Sequence, residues 1–512
     1  MSQDRQIIYI TGAGPGDPNL LTLKAKEVLE KSDVILYDNL VSDETLKLAL
    51  LINPDVQLIY AGKVPYNVEE SVDREEVKKL LLKLVKEYKT ICRLKGGDPN
   101  VFGRGGEEAV FLKEHNINFE IVPGVSSITA VPAYAGIPLT HRDACSSFTV
   151  ISAHEDTNNP DSKIRWENFD AVNSTLVLLM GVKNLPKIIK KLILLGRKKD
   201  TPVAIVYCGT TSKQLTLITN LENAVRDVED KKIQAPSVII IGEVVNYREV
   251  LNWFETKPLF KKRILITRSH SQSQSFAEKL IKSGAEVINC PTVSYEIIEK
   301  EIYNKNIISN ISNYDWIFFT SQNAVQFFFE ILNKNYLDSR ALANVQIAAV
   351  GYKTKLELLK YNIKADFVPK KFSVSELVNE LAEKTNIRNK RILFPTQTGI
   401  QRDLPLENIT TWFIYRPCFV EKLDTEIVNE IKKGIDVITF FSSNTAKHFY
   451  KLAQAYELHV PALMAVIGEE TGKAVTELFG KVDIMAEPFT EDGLINSMER
   501  YFIENARTAL KI

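Results

Sequence analysis

The stretch RQIIYITGAGPGDPNLLTLKAKEVLEKSDVILYDNLV (5–41) decides the fold class. Its first part is a short apolar run that ends in glycines and prolines, the pattern of a buried strand feeding a loop. NLLTLKAKEVLEKS (19–32) then has helical spacing, and DVILYDNLV (33–41) is a second strand. TICRLKGGDP (90–99) repeats the theme, a strand that ends in another glycine loop. Strand, loop and helix in alternation predict an α/β fold with a largely parallel sheet. In such sheets ligands sit at the loops that follow the carboxyl ends of the strands, where both glycine loops lie.

The second loop, RLKGGDPNVFGRGGEE (93–108), holds five glycines in sixteen residues, which suggests a loop that lets a ligand touch backbone. Asp98 in its middle and Glu107–Glu108 at its end would repel a phosphate, and the spacing of a phosphate-binding loop with its lysine is absent. GAGPGD resembles a dinucleotide loop only in outline, because Pro15 follows the second glycine and no third glycine opens the helix. Carboxylates beside glycines suit a ligand carrying a cation or ribose hydroxyls. S-adenosylmethionine, with an ammonium, a sulfonium, a ribose and no phosphate, is the preferred such ligand, and the residues alone leave others open.

The chain has 512 residues, 45% hydrophobic and 25% charged, which implies several domains. Lys+Arg and Asp+Glu are equal at 64 each, so a general nucleic-acid or membrane-surface binder is not expected. Five scattered cysteines without a CxxC pair predict no zinc ribbon or redox pair and fit a reducing cytoplasm. No signal pattern or long apolar run is present, so a cytoplasmic protein is expected.

Further strands are read at SSFTVISAH (146–154), STLVLLMG (174–181), TPVAIVYCGTTSKQ (201–214) and APSVIIIGEVV (235–245), all with ligand-facing ends. LNWFETKPLFKKR (251–263) breaks the pattern and marks the main boundary. Beyond it lies an internal repeat. YDWIFFTSQNAVQFF (314–328) parallels IDVITFFSSNTAKHF (435–449), AVGYKTKLEL (349–358) parallels AVIGEETGKAV, and FSVSELVNEL (372–381) parallels FTEDGLINSM (489–498). Two facing α/β lobes would form a cleft lined by Ser/Thr hydroxyls and helix N-terminal N–H groups, suited to anions.

The motifs YITGAGPGDPNLLTLKA, VILYDNLV, RLKGGDPNVFGRGGEE, VPGVSS, AGIPLTHRD, STLVLLMG and TPVAIVYCGTTSKQ together resemble uroporphyrinogen-III C-methyltransferase of the tetrapyrrole methylase family, over about residues 5–250. The resemblance implies two α/β subdomains (about 1–120 and 121–250), with S-adenosylmethionine held by Pro15, Gly96, Gly97, Asp98, Val101, Ser126, Ser127, Met180 and Gly209. It implies Asp38 as proton acceptor, Lys63 as proton donor, and a homodimer formed through this half. Asn100 stands where an aromatic is usual, SAH (152–154) where TGH is usual, and Val64 where an Arg is usual.

ILITRSHSQSQSFAEKLIKSGAEV, FFTSQNAV, AVGYKT, FSVSEL, IYRP and FFSSNTA resemble uroporphyrinogen-III synthase. That family has two α/β lobes joined by two short strands, which implies, after a linker at 251–262, a synthase at 263–512 with lobe one at 263–297 plus 417–512 and lobe two at 300–414. Its substrate, hydroxymethylbilane, carries eight carboxylates; Thr320, Ser321, Ser442, Ser443, Thr471 and Arg268 are the expected contacts, and Tyr415 the expected acid or hydrogen-bond donor to the leaving hydroxyl. No metal is implied.

The residues also carry plainer readings. Asp38, Ser321, Ser442 and Thr471 suit helix caps, Met180 suits a core, Lys63 a solvated surface, and His141 and His154 structural hydrogen bonds. The leading function is a bifunctional enzyme that makes uroporphyrinogen III and methylates it twice to precorrin-2, on the way to sirohaem or cobalamin. The alternatives are a methyltransferase for another tetrapyrrole or for RNA, and a C-terminal half that only binds tetrapyrrole.

Overall fold

The computed structural model describes residues 6–61, 74–154, 164, 166, 174–370, 374–399 and 408–509. The chain divides into two compact units, Met1–Lys261 and Lys262–Ile512.

The first unit opens with five strands, β1 (Ile7–Gly12), β2 (Val34–Tyr37), β3 (Gln57–Tyr60), β4 (Thr90–Lys95) and β5 (Asn118–Val122), in the order β3-β2-β4-β1-β5. All neighbours pair in parallel. The strands are apolar on both sides because both faces are covered. Ile8 and Ile10 pack with Leu81, Leu84 and Leu112 on one face, and Tyr9 packs with Val28, Leu29 and Ile35 on the other. The helix Leu23–Lys31 starts where Thr22 Oγ1 accepts the Ala25 N–H at 3.1 Å, so strand, loop and helix follow in the expected order, with the α-helix starting at Leu23 rather than Asn19 and β2 ending at Tyr37 rather than Val41.

The second sheet of this unit contains β6 (Phe148–Ser152), β7 (Thr175–Leu179), β8 (Pro202–Tyr207), β9 (Leu215–Asn220) and β10 (Ser237–Ile241), in the order β6-β7-β10-β8-β9. Here one expectation is corrected. β10 runs antiparallel to both β7 and β8, so its carboxyl end lies on the edge opposite to theirs and does not face a ligand. Its run of isoleucines is buried whichever way it points, so composition carried no direction. The helix Ser127–Tyr134 begins after β5 and packs Ile128 and Val131 against Val177, Ala204 and Val206, which brings the two sheets together.

The second unit has two more five-stranded sheets. One contains β11 (Arg263–Ile266) and β12 (Glu286–Asn289), then, after the other sheet, β18 (Val437–Phe440), β19 (Leu463–Val466) and β20 (Ile484–Met485). The other contains β13 (Val293–Ile297), β14 (Trp316–Phe319), β15 (Gln346–Ala349), β16 (Ile392–Gln397) and β17 (Ile409–Phe419), in the order β13-β17-β16-β14-β15. Residues 293–297, expected in the first lobe, pair antiparallel with Tyr415–Phe419 and so extend the second sheet. The alternation Val-Ser-Tyr-Glu-Ile fits a strand with one buried face. This ladder carries the chain out of the first lobe and back.

The internal repeat is structural. After β14, Ser321 Oγ caps the helix Gln322–Lys334 by accepting the Ala324 N–H at 3.1 Å. After β18, Ser442 Oγ caps the helix Ser443–Ala455 by accepting the Thr445 N–H at 3.3 Å.

Candidate functional site

In the first sheet the carboxyl ends of all five strands share one edge, and three glycine-bearing loops meet there. Gly14 and Gly97 exchange both backbone hydrogen bonds, at 3.2 and 2.7 Å. A Cβ on Gly12 would stand 2.6 Å from Gly124 Cα and from the Gly97 carbonyl oxygen. A Cβ on Gly96 would stand 2.5 Å from Leu40 Cβ. These glycines are required by backbone packed on backbone, not by a ligand. Gly97 differs. It has φ +66°, and an added Cβ there would meet nothing nearer than Ser127 N at 3.8 Å.

Asp98 holds this junction together. Its Oδ1 accepts the Asn100 N–H at 2.8 Å and its Oδ2 the Gly124 N–H at 3.0 Å. Ser126 Oγ caps the helix Ser127–Tyr134 by accepting the Ile128 N–H at 3.3 Å. The turn after β8 closes the patch from the second sheet. The Asp17 N–H donates to Thr210 Oγ1 at 3.1 Å, and the Tyr134 hydroxyl to Asp17 Oδ2 at 2.8 Å. A Cβ on Gly209 would strike Val131. Pro15, Gly96, Gly97, Asp98, Ser126, Ser127 and Gly209 therefore lie in one cluster of loops. Val101 is joined to it by its N–H bond to the Asp98 carbonyl at 3.2 Å. Met180 joins only by position, at the end of β7, which runs parallel to β8. It is 50% exposed with φ +58°, so it is no core residue. Cys208 and Thr210 also have positive φ, at +46° and +70°, a strained backbone concentrated at this turn.

Asp38 stands at the end of β2 beside the same loops. Its Oδ1 accepts the Leu40 N–H at 3.2 Å, and its Oδ2 lies 3.5 Å from Arg93 Nη2. Behind it is a buried polar cluster that sequence reading missed. Lys95 Nζ donates to Glu108 Oε1 at 2.8 Å, and Arg93 Nε to the same oxygen at 3.4 Å. Burial pushes the Lys95 ammonium below the usual lysine value, the Arg93 charge adds to this, and Glu108 opposes it. Glu108, read as a loop carboxylate, thus partners cations inside the fold. The signal was the pair of cations in RLK at the core-facing end of an otherwise apolar strand. Lys63 lies outside the described residues.

In the second unit, Tyr415 is 4% exposed, stacked on Phe327, with its hydroxyl 3.1 Å from Ser321 Oγ. Tyr295 packs edge-on against it, and burial raises the Tyr295 hydroxyl above the ordinary tyrosine value. Thr320 is half-buried at the end of β14. In the other lobe, Ser443 Oγ donates to the Glu470 carbonyl at 3.2 Å, and Thr471 is buried in the first turn of the helix Glu469–Phe479. Ser442, Ser443 and Thr471 thus group in one lobe, and Thr320, Ser321 and Tyr415 in the other. Arg268, after β11, pairs with Glu491 at 2.6 Å and lies over the Phe441 ring.

Comparison with known proteins gives two family matches. Residues 7–225 match the tetrapyrrole (corrin/porphyrin) methylases, and residues 274–496 match the family described as uroporphyrinogen-III synthase HemD. The porphyrin biosynthesis protein HemD of Ruminiclostridium josui is 36% identical over 499 residues, 96% of this chain and 97% of that protein. A uroporphyrinogen-III C-methyltransferase of Bacillus subtilis (strain 168) is 41% identical over 352 residues, 69% of this chain and 71% of its own length. A crystal structure of uroporphyrin-III C-methyl transferase from Thermus thermophilus, complexed with S-adenyl homocysteine, overlays 46% of this chain and 92% of its own, at 39% identity and a TM-score of 0.39.

Proposed function

Because the chain belongs to the tetrapyrrole methylases in its N-terminal half and to the uroporphyrinogen-III synthases in its C-terminal half, we propose that it cyclises hydroxymethylbilane to uroporphyrinogen III and then methylates that product twice. It is an enzyme of tetrapyrrole biosynthesis, a methyltransferase joined to a synthase. Joining consecutive enzymes raises the local concentration of the intermediate.

The observation that carries the methyl-transfer reading is the meeting of Asp38, Gly96–Asp98 and Ser126–Ser127 at one sheet edge. The chemistry of this donor set fits S-adenosylmethionine. The bare Cα of Gly97 faces space, with Ser127 N the nearest atom to an added Cβ at 3.8 Å. Each Asp98 oxygen accepts one backbone N–H and keeps a lone pair for a ribose hydroxyl or an ammonium. Pro15, Val101, Met180 and Gly209 complete the proposed holder. When bound, the cofactor supplies a sulfonium methyl as electrophile and leaves as S-adenosylhomocysteine. The chain's part is to align the acceptor carbon and exclude water. Asp38, held by Arg93, takes up the proton released as that carbon gains its methyl. Lys63 as proton donor belongs to the same proposal, as does pairing of two copies through residues 1–250.

In the second unit the substrate carboxylates would lie against Arg268, the helix starts capped by Ser321 and Ser442, and the neighbouring Thr320, Ser443 and Thr471. Ser321 and Ser442 each use one lone pair as a cap; the Ser442 hydroxyl donates to Thr445 Oγ1 at 3.3 Å and Ser321 Oγ lies 3.1 Å from the Tyr415 hydroxyl, so a substrate carboxylate would compete for those hydrogens. Tyr415 donates to the hydroxyl that leaves as water when the ring closes. Uroporphyrinogen III and S-adenosylmethionine supplied anaerobically should give a product heavier by two methyl groups. No gain in mass refutes the methyl-transfer half.

A further inference from the structure

The two lobes of the second unit touch through a polar seam centred on Arg268. Its Nε donates to Gln272 Oε1 at 2.8 Å, and Gln272 Nε2 donates across to Asn323 Oδ1, on the other lobe, at 3.2 Å. Its Nη1 donates to Glu491 Oε1 at 2.6 Å, and the same oxygen takes an ion pair from Lys353, again on the other lobe. Lys353 sits in the first turn of the helix Tyr352–Leu359, which has no side-chain cap. Glu491 opens the long helix Glu491–Ala509, where a carboxylate is favoured by the helix dipole.

We propose that Arg268 and Lys353 form a carboxylate-binding pair across the lobes, and that Glu491 occupies it until a substrate carboxylate takes its place. This rests on the synthase reading of the cleft. Two cations share one carboxylate oxygen, so the trio keeps a net positive charge. Arg268 is anchored independently of Glu491, by Gln272 and by the Phe441 ring 5.1 Å from its guanidinium carbon. It therefore stays in place when Glu491 leaves. Lys353 is 55% exposed, so its pair with Glu491 holds the lobes only weakly and is open to exchange. A guanidinium with an adjacent ammonium suits a carboxylate on a flexible side chain, and binding one would keep the lobes joined through the ligand rather than through Glu491.

The test is steady-state synthase kinetics of the full chain on hydroxymethylbilane, scoring the III isomer. Lys353→Gln should raise KM roughly tenfold with kcat nearly unchanged, and Lys353→Arg should restore most of the affinity. Glu491→Gln should lower KM, because the internal competitor loses its charge. An unchanged KM in Lys353→Gln, or a raised KM in Glu491→Gln, overturns the proposal. A wild type that makes no III isomer removes the synthase reading itself, a result distinct from an active wild type whose KM ignores Lys353.

Discussion

Gly97 donates its N–H to the Gly14 carbonyl at 2.7 Å and accepts the Gly14 N–H at 3.2 Å, which locks the loops after β1 and β4 into one surface. Gly124 packs against the back of that lock, where an added Cβ would collide with Gly12 and the Gly97 carbonyl. Gly124→Ala should cost about 1–3 kcal/mol in the first unit and reduce methyl transfer, while synthase activity persists. Gly97→Ala meets no such wall but carries the strain of its left-handed φ of +66°, about 1–2 kcal/mol, so S-adenosylmethionine binding should fall by more than that strain explains. Calorimetric titration beside a thermal melt separates the two effects.

Asp38→Asn keeps the size of the side chain and removes its capacity to take a proton. Methyl transfer should fall by about 10²-fold or more in kcat with little change in cofactor affinity. Single-turnover methylation of uroporphyrinogen III measures this directly. An unchanged rate would return Asp38 to an ordinary turn residue held by Arg93.

Glu108→Gln would leave Lys95 buried without its carboxylate, and Arg93 with only the Asp38 carboxylate at 3.5 Å. The loss should be about 3–5 kcal/mol at neutral pH. Burial already lowers Lys95 in the folded protein, and removing Glu108 lowers it further. The unfolded chain then holds a proton that the folded chain sheds, so the variant should regain stability as pH rises from the lowered folded value toward the ordinary lysine value of 10.5. Denaturant melts at stepped pH check the sign. A loss that grows with pH would contradict it.

Tyr415→Phe removes a hydroxyl whose hydrogen-bond partner, Ser321, is still satisfied by its cap. Stability should drop by only about 1 kcal/mol. If the hydroxyl assists the leaving group, kcat for the III isomer should fall at least tenfold, in the range expected for one acid–base group. A melt shift without a change in rate would make Tyr415 a packing residue.

Local order was legible wherever one short segment decides it. The matched Ser321 and Ser442 after buried strands are signals contained in a few residues, and the structure places caps at both, whereas the helix read from Asn19 begins only after its Thr22 cap. Pairings between distant segments were not legible. The isoleucine run of β10 is equally buried in either direction, so its antiparallel course depended on β7 and β8. Lys95 and Glu108 are 13 residues apart, and only the helix Gly105–Glu114 folding back over β4 turns a loop carboxylate into a buried partner. Met180 carried two readings, a cofactor contact from its motif and a core residue from its apolar run, and its exposure with a left-handed backbone removes the second. The three-way contact of Arg268, Glu491 and Lys353 joins parts of the chain with no shared motif.

The most direct test of the whole account starts one step upstream, with purified protein and hydroxymethylbilane under anaerobic conditions, with and without S-adenosylmethionine. The III isomer is expected without the cofactor, and a twice-methylated product only with it, resolved by chromatography and mass after oxidation. Formation of the spontaneous I isomer alone would contradict it, leaving the second unit as a binding module rather than an enzyme.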